Sequence, residues 1–170
     1  RTSGITNSAY GPYENGEFSY PIVDFDSDGV VDEITVDYNA DYFDTYLGLQ
    51  DGAGSVKIHL SGTADTTWEL HGLSGQELGS KVNSGDINGD SNVDLIVSYY
   101  SNSRHRIAIF YGPLALLTDE NGNVRPAKVS DADARLEGDI FSVQDHNVDG
   151  KDDLFLISWG SAYLYLGAPN

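Results

Sequence analysis

Three short stretches of the chain carry oxygen-bearing side chains at alternating positions. The first holds Asp24, Asp26, Asp28 and Asp32. The second holds Asp86, Asn88, Asp90 and Asp94, and the third Asp145, Asn147, Asp149 and Asp153. Each reads D-x-[DN]-x-D-x-x-x-D, and their first residues lie 62 and then 59 positions apart. In a tight loop, ligands at alternating positions converge on one centre, which suits a hard cation that takes about six to eight oxygens. The backbone carbonyls of Val30, Asn92 and Lys151, at the seventh position of each loop, are expected to add one oxygen apiece. No cysteine occurs and no histidines pair, so the ligand set favours Ca²⁺ over zinc or copper. Mg²⁺ is disfavoured because it resists losing its water shell. About three Ca²⁺ ions are expected, one per loop. Four carboxylates crowded together repel one another, so such a loop is strained without a cation. The second loop differs in having Ser91 where the others have Gly29 and Gly150, at a position that calls for a left-handed backbone.

An EF-hand is excluded. It needs a glutamate at the twelfth position and a helix on either side, and the twelfth positions are Thr35, Val97 and Leu156, inside apolar runs. Those runs define the elements that must carry the loops. After each final aspartate comes a strand-like segment, Glu33–Tyr38, Leu95–Tyr100 and Leu154–Trp159. A second alternating segment follows at Ser55–Leu60, Arg106–Tyr111 and Ala162–Leu166, and it closes on Gly62, Gly112 or Gly167. A short strand precedes each loop, around Tyr20–Val23, Lys81–Ser84 and Ile140–Gln144. A fourth strand is expected around Thr66–His71 and Ala132–Glu137, with a counterpart at Ile5–Tyr10. The unit is four short strands in about 60 residues, a signature of propeller blades and similar β repeats. No helix is expected. Leu114–Leu117 is too short for one, and residues 118–123 read as a surface turn.

Composition agrees with this picture. Of 170 residues, 19 are glycine, 11 tyrosine and only 5 proline, which suits short strands joined by tight turns. With 27 acidic and 9 basic residues the formal charge is −18, which argues against nucleic acid as a partner. No apolar run reaches the roughly 20 residues of a membrane-spanning helix. The chain opens at Arg1 and lacks methionine, which is expected of a processed chain or a fragment of a longer one.

The constellation resembles the FG-GAP repeats of the integrin α-subunit propeller and its microbial relatives. The resemblance is carried by residues 79–97, by the two other acidic loops and by Leu166-Gly-Ala-Pro169, and it extends over nearly the whole chain. It implies an all-β fold of three four-stranded antiparallel blades, with the acidic loop joining the first two strands of each blade and holding Ca²⁺. Three repeats are fewer than the roughly four to eight blades of a closed propeller, so the chain is expected to form part of a larger or oligomeric one. The expected units span residues 13–71, 72–137 and 138–170, with the extra strand at 5–10, in a single domain.

The functional expectation is an extracellular or cell-surface Ca²⁺-binding module for adhesion or for a protein or glycan ligand, without catalysis. The alternatives are a structural subunit of a surface or virion-like assembly, or an accessory domain of a secreted enzyme. The other copies or the remaining chain needed to cover its edges are further expected partners. Tyr38, Tyr100 and Trp159 each stand six positions past a final aspartate. They serve either as packing between units or as a stacking platform for a ligand. His59, His71, His105 and His146 are scattered, and no Ser-His-Asp order, phosphate loop or zinc motif appears. Arg104-His105-Arg106 is a basic island expected at a solvated loop tip.

Overall fold

Period-two alternation and the acidic punctuation between runs dictate short antiparallel strands. The computed structural model describes residues 18–37, 54–62, 66–73 and 75–167. Among these the fold is all-β, with no α-helix and several small sheets, none closed on itself. Tyr38 and the strand expected at Ile5–Tyr10 lie outside the described residues.

The first sheet has the order β1 (Phe18–Val23), β2 (Asp32–Asp37), β3 (Ser55–Leu60), β4 (Thr66–His71), all antiparallel neighbours. The second runs β5 (Val82–Gly85), β6 (Asp94–Ser101), β7 (Arg104–Phe110) and then β11 (Ala134–Glu137). The third holds β12 (Asp139–Gln144), β13 (Asp153–Ser158) and β14 (Ser161–Tyr165). In each sheet an acidic loop joins the first two strands. The third sheet carries three strands among the described residues, where the resemblance implies four.

Between β7 and β11 the chain makes an excursion that the repeat does not foreshadow. A two-residue hairpin, β8 (Leu117–Thr118) and β9 (Val124–Arg125), encloses the expected turn. Then β10 (Ala127–Lys128) adds to the first sheet as a parallel neighbour of β4. A single 3-10 turn follows at Val129–Asp131.

The sheets stack in chain order. Ile34, Val36, Val56 and Ile58 of the first pack against Leu95, Val97, Ala108 and Phe110 of the second. Trp68 meets Phe110 edge-to-face, with centroids 5.4 Å apart. The other face of the second sheet, through Ile96, Ile107 and Ile109, packs against Ile140, Val143, Leu154 and Leu156 of the third. The middle sheet is therefore buried on both faces, which is why β6 reads as a continuous apolar run without alternation.

Candidate metal centre

The three acidic loops fold alike, amide by amide. The first aspartate receives the N–H groups of the fifth and sixth residues. These bonds are Asp28 and Gly29 to Asp24, Asp90 and Ser91 to Asp86, and Asp149 and Gly150 to Asp145, all between 2.8 and 3.1 Å. The third residue accepts the same fifth-residue amide through Asp26, Asn88 or Asn147. The fifth residue in turn accepts the amide of Val30, Asn92 or Lys151 at 2.8 to 3.0 Å. Such Asx turns wind the chain around its own carboxylates.

Winding requires two left-handed residues per loop. They are Ser27 and Gly29 (φ +63 and +91°), Gly89 and Ser91 (+75 and +72°), and Val148 and Gly150 (+62 and +91°). Ser91 therefore does occupy a left-handed position, and the second loop places its glycine at the other left-handed site.

The ninth residue has a role the spacing alone does not disclose. Asp32, Asp94 and Asp153 are buried. One carboxylate oxygen of each accepts the amide of the second loop residue, Phe25, Ile87 or His146, at 2.7 to 2.9 Å. The other accepts an amide beyond the third strand, from Ser61, Gly112 or Gly167, at 2.8 to 3.0 Å. Each of these aspartates thus ties its loop to the end of the sheet's third strand. The closing glycines permit the close approach. A Cβ on Gly62, Gly112 or Gly167 would collide with the Asp28 carboxylate, the Val93 carbonyl or the Asp152 carbonyl. Burial pushes the Asp94 carboxyl up to about 6, against the lowering effect of the Gly112, Ile87 and Asn88 amides.

Around this brace sits the open rim. In the first loop, carboxylate oxygens of Asp24, Asp26 and Asp28 all lie within 4.8 Å of one another, at partly buried positions. Burial and then the charges of Asp28, Asp32 and Asp24 raise the Asp26 carboxyl. Loops two and three relieve this crowding with an amide. Asn88 and Asn147 donate to Asp90 and Asp149 at 3.0 Å, and the Asp90 carboxyl lies below its ordinary value, chiefly through the Asn92 amide.

Neighbouring loops touch. Ser27 Oγ donates to Asn92 Oδ1 at 2.9 Å, and the Leu114 amide donates to the Phe25 carbonyl at 2.7 Å. Asp86 and Asp152 exchange two bonds, each 2.9 Å. Asp152 was not singled out by the repeat. Burial, with added repulsion from Asp86 and Asp145, raises its carboxyl.

The aromatic positions diverge. Tyr100 lies in β6 and meets its cross-strand partner His105 edge-to-face at 5.2 Å. Trp159 is 76% exposed, in the turn after β13. The Arg104 guanidinium sits 5.1 Å from its ring centre, and its indole N–H donates to Glu137 at 2.7 Å. Arg104 Nη1 also donates to both carboxylate oxygens of Glu137, at 2.9 and 3.0 Å. The basic island is thus no loose tip at Arg104, which bridges the second and third sheets.

Comparison of the chain with protein-family models, with curated proteins and with solved structures returned no match.

Proposed function

We propose that the chain is a Ca²⁺-binding β-repeat module of the FG-GAP type, working outside the cell or at its surface in adhesion or in binding a protein or glycan. The observation that carries this reading is the threefold recurrence of one amide cradle around aspartates at the first, fifth and ninth positions, with a convergent carboxylate cluster in the first loop. A solvated acidic turn has no physical need to repeat a buried brace and two left-handed residues three times. Asp24, Asp26 and Asp28 with the Val30 carbonyl would hold the ion of the first loop. Asp86, Asn88, Asp90 and the Asn92 carbonyl would hold the second, and Asp145, Asn147, Asp149 and the Lys151 carbonyl the third. Asp32, Asp94 and Asp153 would complete each set while keeping their backbone bonds. The bound ion supplies positive charge where carboxylates crowd, and each sheet is read as one blade.

Calorimetric titration of chelator-stripped protein tests the proposal. Uptake of about three Ca²⁺ is expected, and saturation to about 100 times Kd adds about 2.7 kcal/mol of stability for each site filled. No heat of binding, or a melting curve indifferent to chelator, sinks it. A glycan array addresses the ligand, for which exposed Trp159 is the natural probe residue. The second reading, a structural subunit, is favoured by the apolar outer face of the third sheet.

A further inference from the structure

The second and third acidic loops are joined through a residue outside either set of proposed ligands. Asp152 stands between Lys151, whose carbonyl would serve the third loop, and the brace Asp153. Its carboxylate accepts the Asp86 amide at 2.9 Å, and its own amide donates to the Asp86 carbonyl, also at 2.9 Å. The Asp145 amide favours the charge of the same carboxylate. One side chain thus acts on the first residue of both loops.

The backbone is shaped around this contact. A Cβ on Gly85 would meet the Asp152 carboxylate at 2.7 Å, and one on Gly89 would meet the Lys151 stem at 2.8 Å. A larger residue at either place would push the third loop off the second. The second loop has no such reach toward the first. Its eighth residue is Val93, which carries no acceptor, and those loops meet through Ser27 and Asn92 instead.

The Lys151–Asp152 peptide is trans, so its N–H and C=O point in opposite directions. The amide faces Asp86 and the carbonyl faces away from it. One rigid plane therefore carries an oxygen offered to the third loop and a donor fixed to the second. A cation drawing on that oxygen would polarise the peptide and strengthen its amide bond. Holding Asp86 would also spare the second loop part of the ordering cost of binding. Repulsion between two ions opposes this, and salt screens it over about 8 Å at about 0.15 M.

We infer that Asp152 is a positioning residue that couples the second and third Ca²⁺ sites, so that filling either raises the affinity of the other. The inference rests on the Ca²⁺ reading above. Asp28→Ala empties the first rim and leaves sites two and three. Adding Asp149→Ala leaves site two alone, and adding Asp90→Ala leaves site three alone. Calorimetric titration with Ca²⁺ at about 0.15 M salt compares them. The coupling factor is the product of the two stepwise constants divided by the product of the isolated-site constants, and a factor of about five or more is expected. Asp152→Ala should reduce it to about two or less, whereas Asp152→Asn, which loses the same charge but keeps an acceptor, should retain it. Amide exchange gives a second readout. In the chain where only site three can fill, Ca²⁺ should slow exchange at Asp86, in the loop that binds no ion. Ca²⁺ uptake without coupling, an Asp86 amide indifferent to Ca²⁺, or equal factors in the two Asp152 variants would overturn the inference and leave the Ca²⁺ reading intact. No uptake at all would overturn both.

Discussion

The left-handed positions of the acidic loops offer a quantitative test of how the repeat is built. Val148 holds φ +62° with 87% of its surface exposed. A left-handed backbone costs an L-residue about 1–2 kcal/mol, and a β-branched residue lies at the upper end. Exposure means that trimming Val148 to glycine forfeits almost no packing. Added glycine freedom in the unfolded chain takes back about 0.4–1 kcal/mol. Val148→Gly should therefore stabilise the chain by about 0.5–1 kcal/mol, or about 1–4 °C in Tm for a domain of this size. The second loop carries the natural form of this change, with glycine at position 89 and Ser91 two residues on. Gly150 has φ +91° and its absent Cβ would meet nothing within 4 Å, so Gly150→Ser costs about 1–2 kcal/mol through the backbone alone. The double change Val148→Gly with Gly150→Ser should fall near or slightly below the parent. Urea unfolding in excess chelator measures all three variants without interference from metal. A Val148→Gly chain that is less stable than the parent would refute the backbone account of the loop.

Two further outcomes separate the roles of neighbouring groups. Asp94→Ala leaves the Ile87, Asn88 and Gly112 amides without their acceptor in a buried site and should cost about 2–4 kcal/mol in chelator, whereas Asp90→Ala on the exposed rim should cost less than about 1 kcal/mol. Unfolding curves giving equal costs would contradict the assignment of Asp94 as the brace. The Trp159 indole, and then Arg104, hold the Glu137 carboxyl below its ordinary 4.5. With a depressed folded value, the contribution of this bracket is fully present above pH 4.5 and is lost as pH falls through the depressed value. Indole emission should shift in that acid window, and Glu137→Ala should abolish the shift. An unchanged titration in the variant would show that Glu137 does not hold Trp159.

Much of this fold is legible in the sequence because two signals reinforce each other. Alternation locates Ser55–Leu60 and Thr66–His71 to the residue, since both strands are half-buried. The acidic loops then fix the register of every unit. The segments that escape notice lack either signal. Strands β8, β9 and β10 span two residues each, too short for any period, and β10 joins the first sheet from within the second unit. The brace role of Asp32, Asp94 and Asp153 is hidden because its partners, Ser61, Gly112 and Gly167, lie 14 to 29 residues away. A glycine in two of these three partners, Gly112 and Gly167, is the available clue, since a glycine after a strand marks a close backbone approach, whereas the first unit has Ser61 there and its glycine one residue later. The Arg104–Glu137–Trp159 bracket has no sequence signature at all, because sheet stacking alone brings it together.

The charge distribution links these features. Of the 27 acidic residues, eleven occupy the nine-residue acidic loops, and the contact between the second and third loops places Asp86 and Asp152 side by side. Variation among the loops falls where charge can be adjusted. Position three is Asp26, Asn88 or Asn147, so two of the three loops replace a carboxylate with an amide that donates to the next aspartate. Positions one, five and nine are aspartate in every loop. Position nine must remain so for the sheet, since both its oxygens are engaged by backbone amides. Position one is engaged in the same way, since its two oxygens accept the fifth- and sixth-residue amides, and position five accepts a backbone amide in every loop and an asparagine side chain as well in loops two and three. Carboxylates at positions one, five and nine of all three loops concentrate like charge around each rim, and the proposed divalent cation would offset that repulsion.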